Sequence, residues 1–437
     1  MGKVTESLQA ALKQSGATSA ALCVAFSGGR DSTTLLHSLA RLHLGVPLRA
    51  IHIDHAMHPD SARWAEHCLQ VGRQLEVPVE IVRVQVAAGT RGPEAAAREA
   101  RYAALRAALQ PGEYLLTAHH RDDQLETVLL RLMRGSGPVG IAGIRTLSSF
   151  APGYLLRPLL ELSGSQIQRY AVKHELTWLE DPSNADVGYD RNYLRQEVIP
   201  RLSRRWPAAA QVGARAARLG HEAAQLLDEL AVQDAVGIVQ GDVLELTALR
   251  QLSGRRQRNL LRSFLRQRDL PVPGEAALDE GLAQLLQARA DGAPRLAWPG
   301  GELRRYRERL YLLSRHPDAL APPASRSWDT REAVELGPLA GSLAWLPAPD
   351  APAAGPPQLT VRFRRGGERL QRHGCHVRLK NLFQAAGIVP WMRPHVPLIY
   401  AGEELLTVGD LWYADDWAHQ PWAAGARVHW SPREALR

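Results

Sequence analysis

Cysteine is scarce in this 437-residue chain: Cys23, Cys68 and Cys375 are far apart and odd in number. A disulfide framework is thereby excluded, and no CxxC pair is available for a metal, a cluster or redox chemistry. The expected setting is the reducing cytoplasm. No apolar run of about 18 residues occurs, so no membrane-spanning helix and no membrane partner are expected. The N-terminal MGKVTESLQAALKQSG reads as an amphipathic helix and lacks the apolar core of a signal peptide. There is no internal repeat and no GxxxxGK[ST] phosphate loop.

What is present is ordinary globular apolar content, 45%, and an excess of basic charge: 53 Lys and Arg against 45 Asp and Glu, a formal +8. Such a balance suits a nucleic-acid partner, because lysine and arginine displace counterions from phosphates, although many basic proteins bind none. At roughly 100–200 residues per domain, the length predicts two to four domains.

Residues 20–120 alternate strand-like and helical patterns. ALCVAF (21–26), LRAIHID (48–54), VEIVRVQV (79–86) and EYLLTAH (113–119) predict strands; 31–43, 60–75, 93–109 and 122–133 predict helices. A further strand at 154–160 and a helix at 163–175 extend the series. This alternation predicts an α/β domain on a parallel sheet over residues 1–207. Residues 208–315 read as mainly helical and ending in the strand-like GELRRYRERLYLLS, 316–358 as a Pro/Ala-rich linker that could hold a short strand, and 359–437 as a compact basic tail.

The sharpest motif is Ser27-Gly28-Gly29-Arg30-Asp31-Ser32, between a strand ending at Phe26 and a helix. Adjacent glycines let backbone N–H groups face a phosphate, and the helix start adds its positive dipole. Ser27 and Ser32 can donate to phosphate oxygens. Asp31 would repel phosphate unless Mg²⁺ lies between them. The plainer alternative is a glycine turn with an Asp helix cap. Gly135 to Gly140 matches GxGxxG but follows a helix instead of a strand, so it is no dinucleotide fingerprint; it could still border a substrate.

Two clusters fall at predicted strand ends: His52-Ile53-Asp54-His55, and His119-His120-Arg121-Asp122-Asp123-Gln124-Leu125-Glu126. Ligands of open α/β sheets bind along this edge. Asp122 and Glu126, four apart, are expected on one helix face with Asp123 aside. The carboxylates could hold Mg²⁺ or a substrate ammonium. The same clusters could instead serve a binuclear metal hydrolase, or simply cap strands and helices. Arg98 and Arg101 face one way on a predicted helix and could clamp phosphate, or form a solvated face.

SGGRDS, HIDHAMHPDS, EAAAREARY, TAHHRDDQLETVLLRLMRGSG, GIAGI, RPLL, WLEDPSN and RNYLRQEVIPRL, in this order, resemble the tRNA(Ile)-lysidine synthetase family of the PP-loop superfamily. The tail segments RFRRGGERL, LKNLFQAAGIVPWMRPHVPLIY and VGDLW are similar to that family's tRNA-binding C-terminal domain. Asn381 departs from the second lysine often found after Lys380. The resemblance implies an N-type ATP pyrophosphatase fold (adenine nucleotide alpha hydrolase-like), a helical middle and a small α+β C-terminal domain. It implies adenylation of the wobble cytidine of a minor tRNA(Ile) with a CAU anticodon, then attack by free L-lysine, giving lysidine, AMP and pyrophosphate.

On that footing, Ser27, Gly28, Gly29, Arg30, Asp31 and Ser32 are expected to bind ATP, and Asp31 and Asp122 Mg²⁺. Arg98, Arg101 and His119 would join Asp31 in catalysis, and Asp123 and Glu126 would bind lysine. Arg362, Arg364, Arg365, Arg369, Arg372, Arg378, Lys380, Trp391 and Arg393 would contact tRNA. Another adenylating tRNA-modifying enzyme of the superfamily, a metal-dependent phosphohydrolase and a non-catalytic RNA-binding protein are the competing readings. The oligomeric state, a homodimer included, stays open.

Overall fold

The computed structural model describes residues 2–56, 58–85, 93–289, 292–313, 322–337, 339–347, 358–420, 422–423 and 425–432. They form two compact units, Met1–Leu227 and Asp228–Arg437.

The first unit opens with α1 (Lys3–Ser15), whose Val4, Leu8, Ala11 and Leu12 recur at helical spacing and are buried. Then follow β1 (Leu22–Ala25), α2 (Arg30–Ala40), β2 (Leu48–Asp54), α3 (Ser61–Leu75), β3 (Val79–Arg83), α4 (Pro93–Ala108), β4 (Tyr114–Leu116) and α5 (Arg121–Met133). The short α6 (Pro138–Ile141), β5 (Leu147–Phe150), β6 (Gly153–Leu156) and α7 (Gly164–Lys173) complete the domain. The sheet order is β3-β2-β1-β4-β6-β5. All pairs are parallel except β5–β6, an antiparallel hairpin.

Successive strand residues feed opposite faces. Leu22 and Val24 pack with Leu8, Leu12, Leu35, Leu36 and Ile167 on one side. Cys23, Ile51 and Leu115 pack with Leu105 and Leu109 on the other. Helices therefore cover both faces, as parallel sheets require. The chain runs outward from β1 to β3, then crosses back to β4 on the other side of β1. The gap between the C-terminal ends of β1 and β4 is thus the point where the strand order reverses, where such sheets bind ligands.

One packing contact on this scaffold has a measurable pH signature. His37 of α2 is 8% exposed, and its Nδ1 lies 3.0 Å from the Tyr170 hydroxyl of α7. Burial, then the charges of His174 and Arg41, lowers its pKa to about 4. Between the ordinary imidazole range and pH 4, the unfolded chain binds a proton that the folded chain does not. Stability is therefore full above about pH 6.5 and falls as the pH drops towards 4, by at most about 3 kcal/mol from this residue. Urea midpoints measured across that range for the protein and for His37→Gln should diverge, the variant losing less on acidification.

The second unit departs from the mainly helical expectation for 208–315. Val239–Gln240, Val243–Glu245, Arg309–Leu313, Gly301–Tyr306 and Arg295–Trp298 form an antiparallel five-stranded sheet, in that order. Helices Leu246–Gln251, Gly254–Arg266 and Glu275–Gln287 pack on it through Leu260, Leu261, Phe264, Leu278 and Leu282. The expected linker is also corrected in part. Arg326–Trp328 pairs with Leu359–Arg362, and Gly341–Leu346 pairs with Arg427–Ser431, so both are strands of the C-terminal body. Trp328 and Leu343 are buried in its core beside Phe383 and Trp430. The most proline-rich stretch of that linker, 348–357, lies outside the described residues.

Candidate active site

At the reversal point, β1 leads into the glycine loop. Gly28 has φ +79°, and a Cβ there would meet Leu179 Cδ1 at 2.8 Å and Cys68 Sγ at 3.0 Å. The position therefore demands glycine for conformation and for space. Leu179 N–H donates to the Gly28 carbonyl at 2.9 Å, fastening the turn. The Ser27 and Ser32 hydroxyls are 2.9 Å apart, and Ser32 Oγ donates to the Gly29 carbonyl at 3.0 Å. Gly29, not Asp31, is the residue before the first turn of α2. Asp31 is thus free of capping and directs one carboxylate oxygen to Arg30 Nε at 2.8 Å and the other to His120 Nε2 at 3.4 Å.

From the other side, β4 leads to Thr117, His119 and His120. His120 caps α5: its Nδ1 accepts from Asp122 N–H at 3.3 Å, and its own N–H donates to Asp123 Oδ2 at 2.8 Å. Nδ1 is therefore an acceptor and Nε2 faces Asp31. Burial works against protonation of His120, but the hydrogen bond to Asp31 and the charges of Asp123, Asp31 and Asp122 outweigh it and raise its pKa. For Asp31, burial opposes ionisation, yet the His120 and Arg30 contacts hold its pKa below the usual carboxylate range. Two helix N-termini, α2 and α5, thus meet through an Asp31–His120 contact.

The capping box also rearranges the carboxylates relative to expectation. It turns Asp123 inward, so Asp123 and Glu126, not Asp122 and Glu126, act together. Arg191 donates to Glu126 at 2.8 Å and Asp123 at 3.0 Å; Arg195 donates to Glu126 at 2.6 Å and Asp123 at 3.2 Å. Glu126 is 1% exposed. Asp122 instead accepts from Gly164 N–H at 2.9 Å at the start of α7, leaving its carboxylate about a third exposed. Arg191 lies in the helix Asp190–Tyr193, and Arg195 in the π turn Leu194–Val198 that follows. Sequence reasoning assigns neither a role, although both fall in RNYLRQEVIPRL, one of the segments carrying the family resemblance.

His119, the residue before the α5 cap, lines a hollow to which none of residues 27–32 contributes. Its Nδ1 is 2.9 Å from Thr117 Oγ1. Burial lowers its pKa to about 3; Arg157, Arg191 and Arg98 add to this and Asp123 opposes it. Arg98 reaches the same hollow and stacks over Tyr102 at 4.9 Å. Arg101 turns elsewhere, its Nε 3.3 Å from His55 Nε2. His52 is engaged structurally, with Nδ1 2.9 Å from the Phe26 carbonyl. Among the described residues, no group of three His, Cys, Asp or Glu is arranged to hold a metal ion. The binuclear hydrolase reading therefore lacks its ligand set.

In the C-terminal body, the expected tRNA residues divide into two sets. Arg362 pairs with Glu403 at 2.8 Å and stacks over Tyr400. Arg364 lies over Phe383. Trp391 is wedged against Tyr306 and Tyr311, and Arg393 donates to the Ile388 carbonyl and the Tyr306 hydroxyl. These four are half-buried against the body. Arg365, Arg369, Arg378 and Lys380 are exposed, and Arg372 is half-buried. Arg369 and Arg378 stand directly opposite each other on the hairpin Arg369–Arg372/Cys375–Arg378.

Comparison with known proteins matches residues 2–202 to the PP-loop domain family, 244–311 to the TilS substrate binding domain and 359–430 to the TilS substrate C-terminal domain. The tRNA(Ile)-lysidine synthase of Alkalilimnicola ehrlichii is 45% identical, over 91% of this chain and 91% of its own. That of Methylococcus capsulatus is 38% identical over 94% and 96%, and that of Pseudomonas putida 43% identical over 89% and 92%. No helix among the described residues is long and apolar enough to cross a membrane.

Proposed function

The chain belongs to the tRNA(Ile)-lysidine synthase family, and on that premise we propose how its residues divide the reaction. ATP adenylates the C2 oxygen of the wobble cytidine in the tRNA(Ile) with a CAU anticodon, and pyrophosphate leaves. The ε-amine of lysine attacks C2, AMP departs, and lysidine remains. The C2 oxygen is a poor leaving group until it carries AMP, so the protein must first stabilise charge on the α-phosphate and pyrophosphate.

The observation carrying the proposed roles is the meeting of the α2 and α5 N-termini through Asp31 and His120. The loop Ser27–Ser32 receives the ATP phosphates with its N–H and hydroxyl donors, and the α2 dipole favours their charge. His120 presents Nε2 beside Asp31 as a further donor. Mg²⁺ fits this donor set, since it is ordinarily held through one or two carboxylates and substrate phosphates. Asp31, ionised and one-third exposed, would hold it, with Asp122 as a second carboxylate. The ion would neutralise charge on the departing pyrophosphate. Arg98 and Arg101 are assigned to the phosphates and adenylate. Asp123, held ionised by His120 and Arg191 although burial opposes it, orients the lysine ammonium together with Glu126. His119, neutral, adds no repelling charge.

The test incubates the protein with ATP, radiolabelled lysine and the CAU-anticodon tRNA. One AMP should form for each lysine incorporated. Phosphate release without AMP would overturn the reading.

Arg365, Arg369, Arg372, Arg378 and Lys380 are assigned to tRNA phosphates. Two arginines directly opposite on a hairpin repel each other. Replacing both, Arg369→Gln with Arg378→Gln, is expected to stabilise the body slightly, by roughly 0.2–1 kcal/mol. It should nevertheless weaken tRNA binding and lower the salt slope by about 1–2. Thermal melts and filter binding at graded salt read the two opposed signs.

A further inference from the structure

A second cationic hollow lies beside the site, and its Arg131, Arg145 and Arg157 have no role in the assignments above. Its cavity of about 330 Å³ is lined by Arg98, Arg131, Arg145, Arg157, Arg191 and His119, and by apolar side chains from the 139–144 turn. No Asp or Glu lines it, and none of residues 27–32 does. It is therefore separate from the ATP phosphate loop.

The charges in this hollow are largely uncompensated. Among the described residues, Arg191 is the one of them seen paired with carboxylates, Asp123 and Glu126. Arg131 donates to the carbonyls of Gly140 and Gly143, both at 2.8 Å. Arg157 donates to the Arg145 carbonyl at 2.7 Å, and its buried Nε has no hydrogen-bond partner. Arg98 rests on the Tyr102 ring. Arg145 is exposed, and among the described residues its side chain makes no ion pair. Burial, with Arg98 and Arg145 adding to it, lowers the pKa of Arg131; burial, with Arg98 adding and Tyr102 opposing, lowers that of Arg157. Such a concavity requires an anion.

We infer that this hollow seats a backbone phosphate of the RNA strand next to the reacting cytidine. The inference rests on the lysidine-forming reading and adds the residues that position the strand. The hollow shares His119 and Arg191 with the carboxylate pair, so its anion must belong to a substrate reacting there. Its arginines outnumber what the single carboxylate of lysine requires. Its apolar wall, Val139, Ala142 and Ile144, suits a sugar or base edge. Phosphate contacts of this kind fix register without reading sequence.

Arg145 is the residue to vary, because its side chain supports nothing else. A synthetic anticodon stem-loop is titrated against Arg145→Gln and Arg145→Lys at graded salt. The glutamine variant should bind roughly tenfold more weakly, as for loss of one charge-assisted contact. Its salt slope should fall by about 0.7, and lysine should restore the slope. A neutral methylphosphonate at one of the two linkages flanking the cytidine should weaken binding to the unaltered protein but not to Arg145→Gln. Equal affinity and slope, or additive penalties, would overturn the inference. So would a raised KM for lysine with RNA binding unchanged, which would give the hollow to the amino acid's carboxylate. If the unaltered protein bound RNA but incorporated no lysine, the catalytic reading would fail instead, and the binding data would still judge the phosphate contact.

Discussion

Asp31→Ala should lower the rate of lysidine formation by about a hundred- to a thousandfold, with the fold intact. The carboxylate is one-third exposed and supports no hydrophobic core, so its loss costs little stability. What it removes is electrostatic. Asp31 holds Arg30 Nε at 2.8 Å and His120 Nε2 at 3.4 Å, and it is the carboxylate proposed to hold Mg²⁺. Removing one preorganised group that stabilises transition-state charge ordinarily costs about 10²–10³ in rate. The variant should also titrate differently. His120 would lose its leading stabilising partner, so its pKa should drop from its raised value. NMR titration of the His120 ring and a lysine-incorporation assay check both halves. A variant that incorporates lysine at the normal rate would remove Asp31 from the phosphate site.

The loop and sheet edge were legible because their signals are local. Gly28 announces a turn within six residues, and β2 was expected over 48–54, where it lies. The expectation that Asp122 and Glu126 share one face, with Asp123 aside, failed for a local reason of a different kind. Face arithmetic holds inside a helix, but at its first turn the His120 N–H draws the Asp123 carboxylate inward. Arg191 and Arg195 were hidden by distance, since their carboxylate partners lie 65–72 residues away. No periodicity encodes such a pairing. Of the central sheet only GELRRYRERLYLLS was legible, as Gly301–Tyr306 and Arg309–Leu313; strands such as Val239–Gln240 are too short for alternation to register, while leucine-rich helices dominate the composition. The strands at 326–346 were masked by the proline and alanine around them.

The second large effect is expected at Glu126. Glu126→Ala should destabilise the first unit by about 3 kcal/mol and abolish lysine incorporation. Its carboxylate is 1% exposed and takes hydrogen bonds from two guanidiniums, so its loss leaves two positive charges facing each other with only Asp123 between them. Breaking a buried pair from one side costs about 3–5 kcal/mol. The lower end applies because Arg195 is 44% exposed and water can reach it. Glu126→Gln separates the roles: it keeps the shape and some hydrogen bonding, so it should recover part of the stability while activity stays lost. Adding Arg195→Met to Glu126→Ala removes one orphaned cation and should restore stability beyond additivity, since both residues belong to one network. Urea unfolding of these proteins and of Arg195→Met alone, with lysine incorporation measured in parallel, reads this. If Glu126→Gln kept full activity, the pair would be a brace for the 190–198 segment alone, and lysine recognition would fall to Asp123.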